Sequence, residues 1–434
     1  MIALVAIGGS SLVAYVYGTV ITPFTNRTVA GDFAVYYHAA LLIRSGVGPY
    51  NLVPAKTFFA GNFTYIYPPF LAWLLQPLTL VPFEEARLIW LGLLQVSILG
   101  LIVLSWRVLG ARGWISRATI VIVWIMTWPV LFNLQIGNLN PVMALCGAAF
   151  ALTYVSRTGK AGIGWVALGL GVAAKLYQAP VWLIIASKRW FDERAGLTVA
   201  VIAGLVPTVF AVPAYLPRYL AKVLPRLSSI SADPNNISPG GVLVHLLDPA
   251  AALANKDVPH PGIKSVAVLA SLVVLMVAVW AMRWTRDRRL EVALASLPIP
   301  LMASVTWDTH LVLQILPVML VVQLAWGRRH YGVVALEVAS ALLALWYVWL
   351  LVPVVPYLRL AFPLVADELV WDLPGVGIMG MFAGAVWLAR LELAASFGPS
   401  AIPWAESEAL DEAGGTPGEA MLAPLSRVRA KPSG

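Results

Sequence analysis

Lys175 lies in the apolar stretch GLGVAAKLYQAPVWL with no acidic residue near it in the sequence. An ammonium group at such depth is expensive to desolvate, so an ionisable residue there marks a functional site by default. Two readings are open. The side chain can run along apolar surface and carry its head to the interface, or it can be a cation at a broken helix that receives a phosphate or another anionic headgroup. Asp32, in RTVAGDFAVYYHAALLIRSGVGPYNL, is the only acid before Glu84. Beside Gly31 it suits a helix N-cap, and it is also a carboxylate available for chemistry. Asp308 and His310 interrupt two apolar runs in TWDTHLVLQ. That histidine is either a hydrogen-bonded packing residue or, beside an acid in a turn, part of a site lining. Gln135, Asn138 and Asn140 in LQIGNLNP, with Asn235 and Asn236 in ADPNNISPGG, are neutral amides that suit sugar hydroxyls. They are equally the residues from which turns are made.

The elements that must position these residues are membrane spans. Of 434 residues 60% are hydrophobic and only 12% charged, with 18 tryptophans, a composition that excludes a soluble domain of this size. The apolar residues come in runs of roughly 15 to 24, the length that crosses a hydrocarbon core as a helix. The opening run MIALVAIGGSSLVAYVYGTVI lacks a basic leading region and an A-x-A-type cleavage site, so it reads as a retained first span. The net charge of +8 resides in short basic connections: Arg107, Arg112 and Arg117; Arg157 and Lys160; Lys188, Arg189 and Arg194; Arg283, Arg286, Arg288 and Arg289; Arg328 and Arg329. Short basic loops stay in the cytoplasm, and the alternate loops fall outside. Spans drawn on that rule lie near 1–21, 84–107, 118–134, 140–156, 162–174, 177–187, 195–213, 263–283, 290–305, 310–326, 331–352 and 374–391, about twelve segments with both ends cytoplasmic.

The stretches 162–174 and 177–187 are too short to cross as straight helices and are expected to be broken or re-entrant. The Pro-rich segment YPPFLAWLLQPLTLVPF, 67–83, is expected as an interfacial helix, because a crossing there would invert every basic loop after it. Gly31-Asp32 opens a helix in the first external loop that Gly46-Val47-Gly48-Pro49 closes. Its Phe33, Tyr36 and Tyr37 rest in the interface. On this partition Asp32, Lys175, His310 and the amides all collect outside. Residues 1–395 form one membrane domain, and 396–434, rich in Gly, Pro, Ser and acids, reads as a disordered cytoplasmic tail. No P-loop, GxGxxG, GxSxG elbow or HExxH spacing is present. Cys146 is the one cysteine, so neither an intramolecular disulfide nor a cysteine metal site forms. The basic residues are dispersed over short loops, which argues against nucleic-acid binding.

The order of motifs resembles the GT-C glycosyltransferases of family 87, which include polyprenyl-phosphate-mannose-dependent mannosyltransferases of mycobacterial phosphatidylinositol mannoside synthesis. The resemblance rests on GDFAVYYHAA, FTYIYPPFLAWLLQPLTLVPF, LQIGNLNPVMAL, GLGVAAKLYQAPVWLI and TWDTHLVLQILPVML, and runs from about residue 1 to 395. Where this chain has Asp308, family members carry a second histidine or a serine, and where it has KLYQAP they carry Lys-x-x-Pro. The resemblance implies an all-α, GT-C-type membrane fold and a plasma-membrane enzyme whose active site faces outward. It further implies inverting transfer of a hexose, mannose first, from a polyprenyl-phosphate-sugar donor to a lipid-linked or glycan acceptor, with no cofactor and no metal. Asp32 would then be the general base. Lys175 and His310 would hold the donor phosphate. Tyr36, Tyr37, Gln135, Asn138, Asn235, Asn236 and Asp308 would contact substrate. Two alternatives stay open: a lipid or sugar transporter or flippase, which also uses broken helices, and the same fold with a polyprenyl-phosphate-arabinofuranose donor. A transporter predicts internal repeats and polar groups near the bilayer midplane, and the sequence has neither.

Overall fold

The computed structural model describes residues 2–26, 30–50, 65–156, 161–227, 231, 233, 235–248, 261–351 and 366–396. The stretch 51–64, Arg157 and Lys160, residues 249–260 of the loop 214–262, residues 352–365 and the tail 397–434 lie outside them. The chain divides into two units, Met1–Arg390 and Leu391–Gly434. Of the second, only the helical residues up to Ser396 are described.

Among the described residues every regular element is helical. In chain order they include α1 (Ile2–Val16), α2 (Gly31–Arg44), α3 (Pro69–Leu74), α4 (Phe83–Val108), α5 (Trp114–Met126), α6 (Trp128–Ile136), α7 (Asn140–Ser156) and α8 (Ala161–Ala174). They continue with α9 (Ala179–Ala211), α10 (Pro239–Leu247), α11 (Pro261–Met282), α12 (Arg288–Ser296), α13 (Ile315–Gly327), α14 (Tyr331–Leu345) and α15 (Ala366–Ser396). The all-α, polytopic expectation holds. The expectation of twelve spans does not: among the described residues five helices are long and apolar enough to cross, or six if the pair α5 and α6, bent by 50° at Thr127, counts as one. The reason is length. Helices of 17 residues (α7) and 15 residues (α14) rise only ~22–26 Å, short of a ~30 Å hydrocarbon core. The YPPF segment is broken into the six-residue α3 and a 3-10 turn, Gln76–Leu80, because prolines interrupt the hydrogen-bond ladder.

A second difference concerns 188–194, expected as a loop. The backbone stays helical through it, and α9 runs 33 residues without a break. It is not straight. A methyl on Gly204 would lie 2.7 Å from Cη2 of Trp182, whereas ~22 residues of straight helix would hold the two ~33 Å apart. The helix is therefore strongly bent between Trp182 and Gly204, and Lys188 and Arg189 lie in that interval. Those two residues meet the fully buried Glu291 of α12, each at 2.6 Å. Tyr154 of α7 donates its hydroxyl to the same carboxylate at 2.5 Å, and Arg288 pairs with Glu193 at 2.6 Å. A buried carboxylate with this many donors is compensated, and removing it would strand two cations. The knot pins one end of α7, and the polar cluster described next occupies the other, ~20 Å away along the helix.

Candidate active site

The cluster forms where the N-terminal ends of α2 and α7 meet the break after α8. Ala30 precedes α2 in the left-handed conformation, φ 72°, and donates its N–H to the carbonyl of Gln135 at 2.7 Å. Gly137, also left-handed at φ 69°, lies so close that an added Cβ would sit 2.8 Å from the Ala30 Cβ and 3.0 Å from its Cα. Trp90 of α4 donates its indole N–H to the Gly137 carbonyl at 2.8 Å and stacks on Phe33 of α2. The two turns thus interlock on an aromatic platform, which sets Asp32 against Asn138. Gly137→Ala should lose roughly 2–5 kcal/mol of stability, the sum of a left-handed alanine and an overpacked contact. A lowered thermal midpoint in detergent checks it.

Asp32 occupies the first turn of α2 and not its cap, which is Ala30. Its Oδ2 accepts a hydrogen bond from Nδ2 of Asn138 at 2.6 Å. Oδ1 of Asn138 accepts the N–H of Asn140 at 3.0 Å, and Oδ1 of Asn140 accepts from Nζ of Lys175 at 2.8 Å. Lys175 is the extended residue between α8 and the turn Leu176–Gln178. Its ammonium lies over the rings of Tyr67, 5.4 Å away, and Tyr177, 5.9 Å away, as a cation–π pair with each. Its head is committed to these rings and to Asn140, which is more than a snorkelling lysine requires.

Tyr36 joins this wall by donating its hydroxyl to that of Tyr67 at 3.1 Å. His310 joins it by stacking on Tyr177, centroids 4.3 Å apart. Its Nδ1 accepts the N–H of Trp307 at 3.0 Å, so the ring proton belongs on Nε2, which makes that nitrogen a donor. Burial raises the Asp32 carboxyl above the usual carboxylate range, while the Asn138 hydrogen bond and the Lys175 charge oppose the rise. Burial likewise pushes the Lys175 ammonium down to about 7, against the charge of Asp32. The arrangement can accept a proton at one end and hold an anion at the other.

Asp32, Asn138, Lys175, Tyr36 and His310 are therefore brought together, while other residues singled out in the sequence have different partners. Tyr37 donates to the Val81 carbonyl at 2.9 Å and packs on Phe83. Gln135 contributes its backbone carbonyl. Asn235 is exposed and bonded to Asp233. Asn236 is fully buried: its Oδ1 takes the N–H groups of Ser238 and Thr306, and its Nδ2 donates to the Ser231 carbonyl. Asp308 accepts from Trp128 at 3.1 Å and from the Tyr347 hydroxyl on Oδ2, and its Oδ1 is buried without a partner among the described residues. Tyr67 and Tyr177 are missed by sequence reasoning as site residues. Each stands inside a motif that the sequence does single out, YPPF and KLYQAP, but an aromatic residue there is indistinguishable from an interfacial one.

Residues 65–305, more than half of the chain, match the model of Glycosyltransferase family 87. Two curated proteins of Mycobacterium tuberculosis, from strains CDC 1551 / Oshkosh and ATCC 25618 / H37Rv, are each described as alpha-(1->3)-arabinofuranosyltransferase. Both are 25% identical to this chain over 192 residues, 44% of this chain and 42% of theirs. The chain thus aligns with less than half the length of the curated relatives it matches. No solved structure matches.

Proposed function

The chain belongs to glycosyltransferase family 87, and from that premise we propose that it transfers a hexose, mannose first, from a polyprenyl-phosphate-sugar to a lipid-linked or glycan acceptor. The reaction takes place at the outer face of the plasma membrane. The observation that carries this reading is the part-buried path from the Asp32 carboxylate through two amides to the Lys175 ammonium, walled by Tyr36, Tyr67, Tyr177 and His310. A carboxylate at one end suits the acceptor hydroxyl, and a cation at the other suits a lipid monophosphate. The acceptor oxygen attacks the anomeric carbon on the side opposite the phosphate, and Asp32 takes its proton. The bond from the anomeric carbon to the phosphate oxygen breaks, and the departing charge is met by Lys175 and by the Nε2–H of His310. The outcome is inversion.

A second reading keeps the site and changes the sugar to arabinofuranose, and the printed name of the two mycobacterial relatives favours it. The test is label transfer by purified protein in detergent, with chelator present, from radiolabelled polyprenyl-phosphate-mannose or polyprenyl-phosphate-arabinofuranose to extracted native glycolipids. Label moving from mannose supports the hexose reading. Label moving only from arabinofuranose replaces it with the second. Transfer from no polyprenyl-phosphate sugar sinks both.

A further inference from the structure

Two part-buried groups of opposite charge would ordinarily close into a direct ion pair, which here would neutralise the group that must accept a proton and the group that must hold an anion. Asp32 and Lys175 are instead joined by a spacer, Asp32 Oδ2 to Asn138 Nδ2 at 2.6 Å, Asn138 Oδ1 to the N–H of Asn140 at 3.0 Å, and Asn140 Oδ1 to Lys175 Nζ at 2.8 Å. We propose that Asn138 and Asn140 are positioning residues that hold Asp32 and Lys175 apart, each free of a direct counter-ion, and that they do so as amides because each must present a donor or an acceptor without a charge of its own. The inference rests on the functional reading above.

The orientation of each amide is dictated by its partners. Asn138 commits its oxygen to the first backbone N–H of α7, so only its NH₂ group can face the carboxylate. Asn140 commits its oxygen to the ammonium, and its Nδ2 is left buried with no partner among the described residues. A buried donor without a partner is a tolerated penalty, and here it accompanies the presentation of a neutral acceptor to Lys175. Asn140 begins α7 and Asn138 lies in the turn just before it, and the far end of α7 is fixed by the Glu291 knot, so the spacer is mounted at the start of an anchored helix. The titratable groups facing Lys175 come from four elements: Asp32 on α2, Tyr67 ahead of α3, Tyr177 in the break itself, and His310 on the 3-10 turn Asp308–Gln314. None lies between Lys175 and Asn140.

The distinguishing variants are carboxylates of the same size. Asn140→Asp gives Lys175 a permanent counter-ion: its titration should move up by at least one pH unit, and the donor KM should rise about tenfold, since the ammonium is no longer available to phosphate. Asn138→Asp removes the donor from Asp32 and adds a like charge, so the acidic limb of kcat/KM should move to higher pH with donor KM little changed. Should Asn138→Asp fail to fold, Asn138→Ser, whose hydroxyl is too short to reach Asp32, reads the same limb in the same direction.

Lys175 is followed directly by ¹³C NMR of protein labelled with [ε-¹³C]lysine in detergent, assigned with Lys175→Arg, which needs no turnover. An upward shift in Asn140→Asp, together with the divergent KM and acidic-limb effects, is the expected result. A Lys175 titration that stays where it is in folded Asn140→Asp overturns the spacer, whether or not transfer is detected. A spacer that survives while no polyprenyl-phosphate sugar is consumed overturns the glycosyl-transfer reading alone.

Discussion

Asp32→Asn should lower kcat by about 10²–10⁴-fold, the contribution of a positioned general base, while leaving the protein folded and donor binding nearly intact. The substitution is isosteric, and the new side-chain oxygen can still accept from Asn138 Nδ2, so the interlocked turn at Ala30 and Gly137 keeps its geometry. What is lost is the capacity to take a proton. Single-turnover transfer, with the thermal midpoint measured in parallel, checks this. Full activity in the folded variant would remove Asp32 as the base. Because the Asp32 charge opposes the burial that lowers Lys175, the variant should also deprotonate Lys175 at lower pH than wild type does, a linked effect visible in the same NMR titration.

Lys175→Ala should reduce kcat/KM by about 10²–10³-fold, the scale for removing one group that meets charge developing in the transition state. The pH profile of the wild type should carry both partners. The base must be deprotonated, and burial raises Asp32, so the acidic limb of kcat/KM should lie above the ordinary carboxylate range, activity rising as pH rises through it. The cation must be protonated, and burial lowers Lys175 to about 7, so kcat/KM should fall as pH rises through that value. Bound phosphate restores the charge on Lys175, so the alkaline limb of kcat should stand at higher pH than that of kcat/KM. A profile flat from pH 6 to 9 in kcat/KM would contradict the assignment, as would an alanine variant with unchanged donor affinity.

Much of the architecture was legible because it follows from local rules. The helix bounds drawn from hydropathy at 84–107 and 140–156 correspond to α4, Phe83–Val108, and α7, Asn140–Ser156. The helix opened by Gly31-Asp32 ends, as its glycines require, with Gly46 at φ 74°. The number of full-length spans was not legible, since a hydrophobic run does not reveal whether it is long enough to cross once neighbours bend or cover it. The loop expected at 188–194 from its basic residues is helix. The Lys188 and Arg189 side chains in it are held by Glu291, ~100 residues away in sequence, a pairing no local pattern encodes.

The candidate site divides in the same way. By itself the sequence determined that Asp32, Lys175 and His310 are out of place among apolar residues, because desolvating an ionisable group is costly wherever it occurs. It likewise identified an all-helical membrane protein and the motifs of its family. Only the tertiary structure decided that Asn138 and Asn140 lie between the carboxylate and the ammonium, that Tyr67 and Tyr177 flank the cation, and that Asn235, Asn236 and Tyr37 are committed elsewhere. The physical reason is that hydrophobicity and turn preference are properties of a residue and its neighbours along the chain. A hydrogen-bond partner is a property of position, fixed here when Gly137 lets two left-handed turns pack within contact distance.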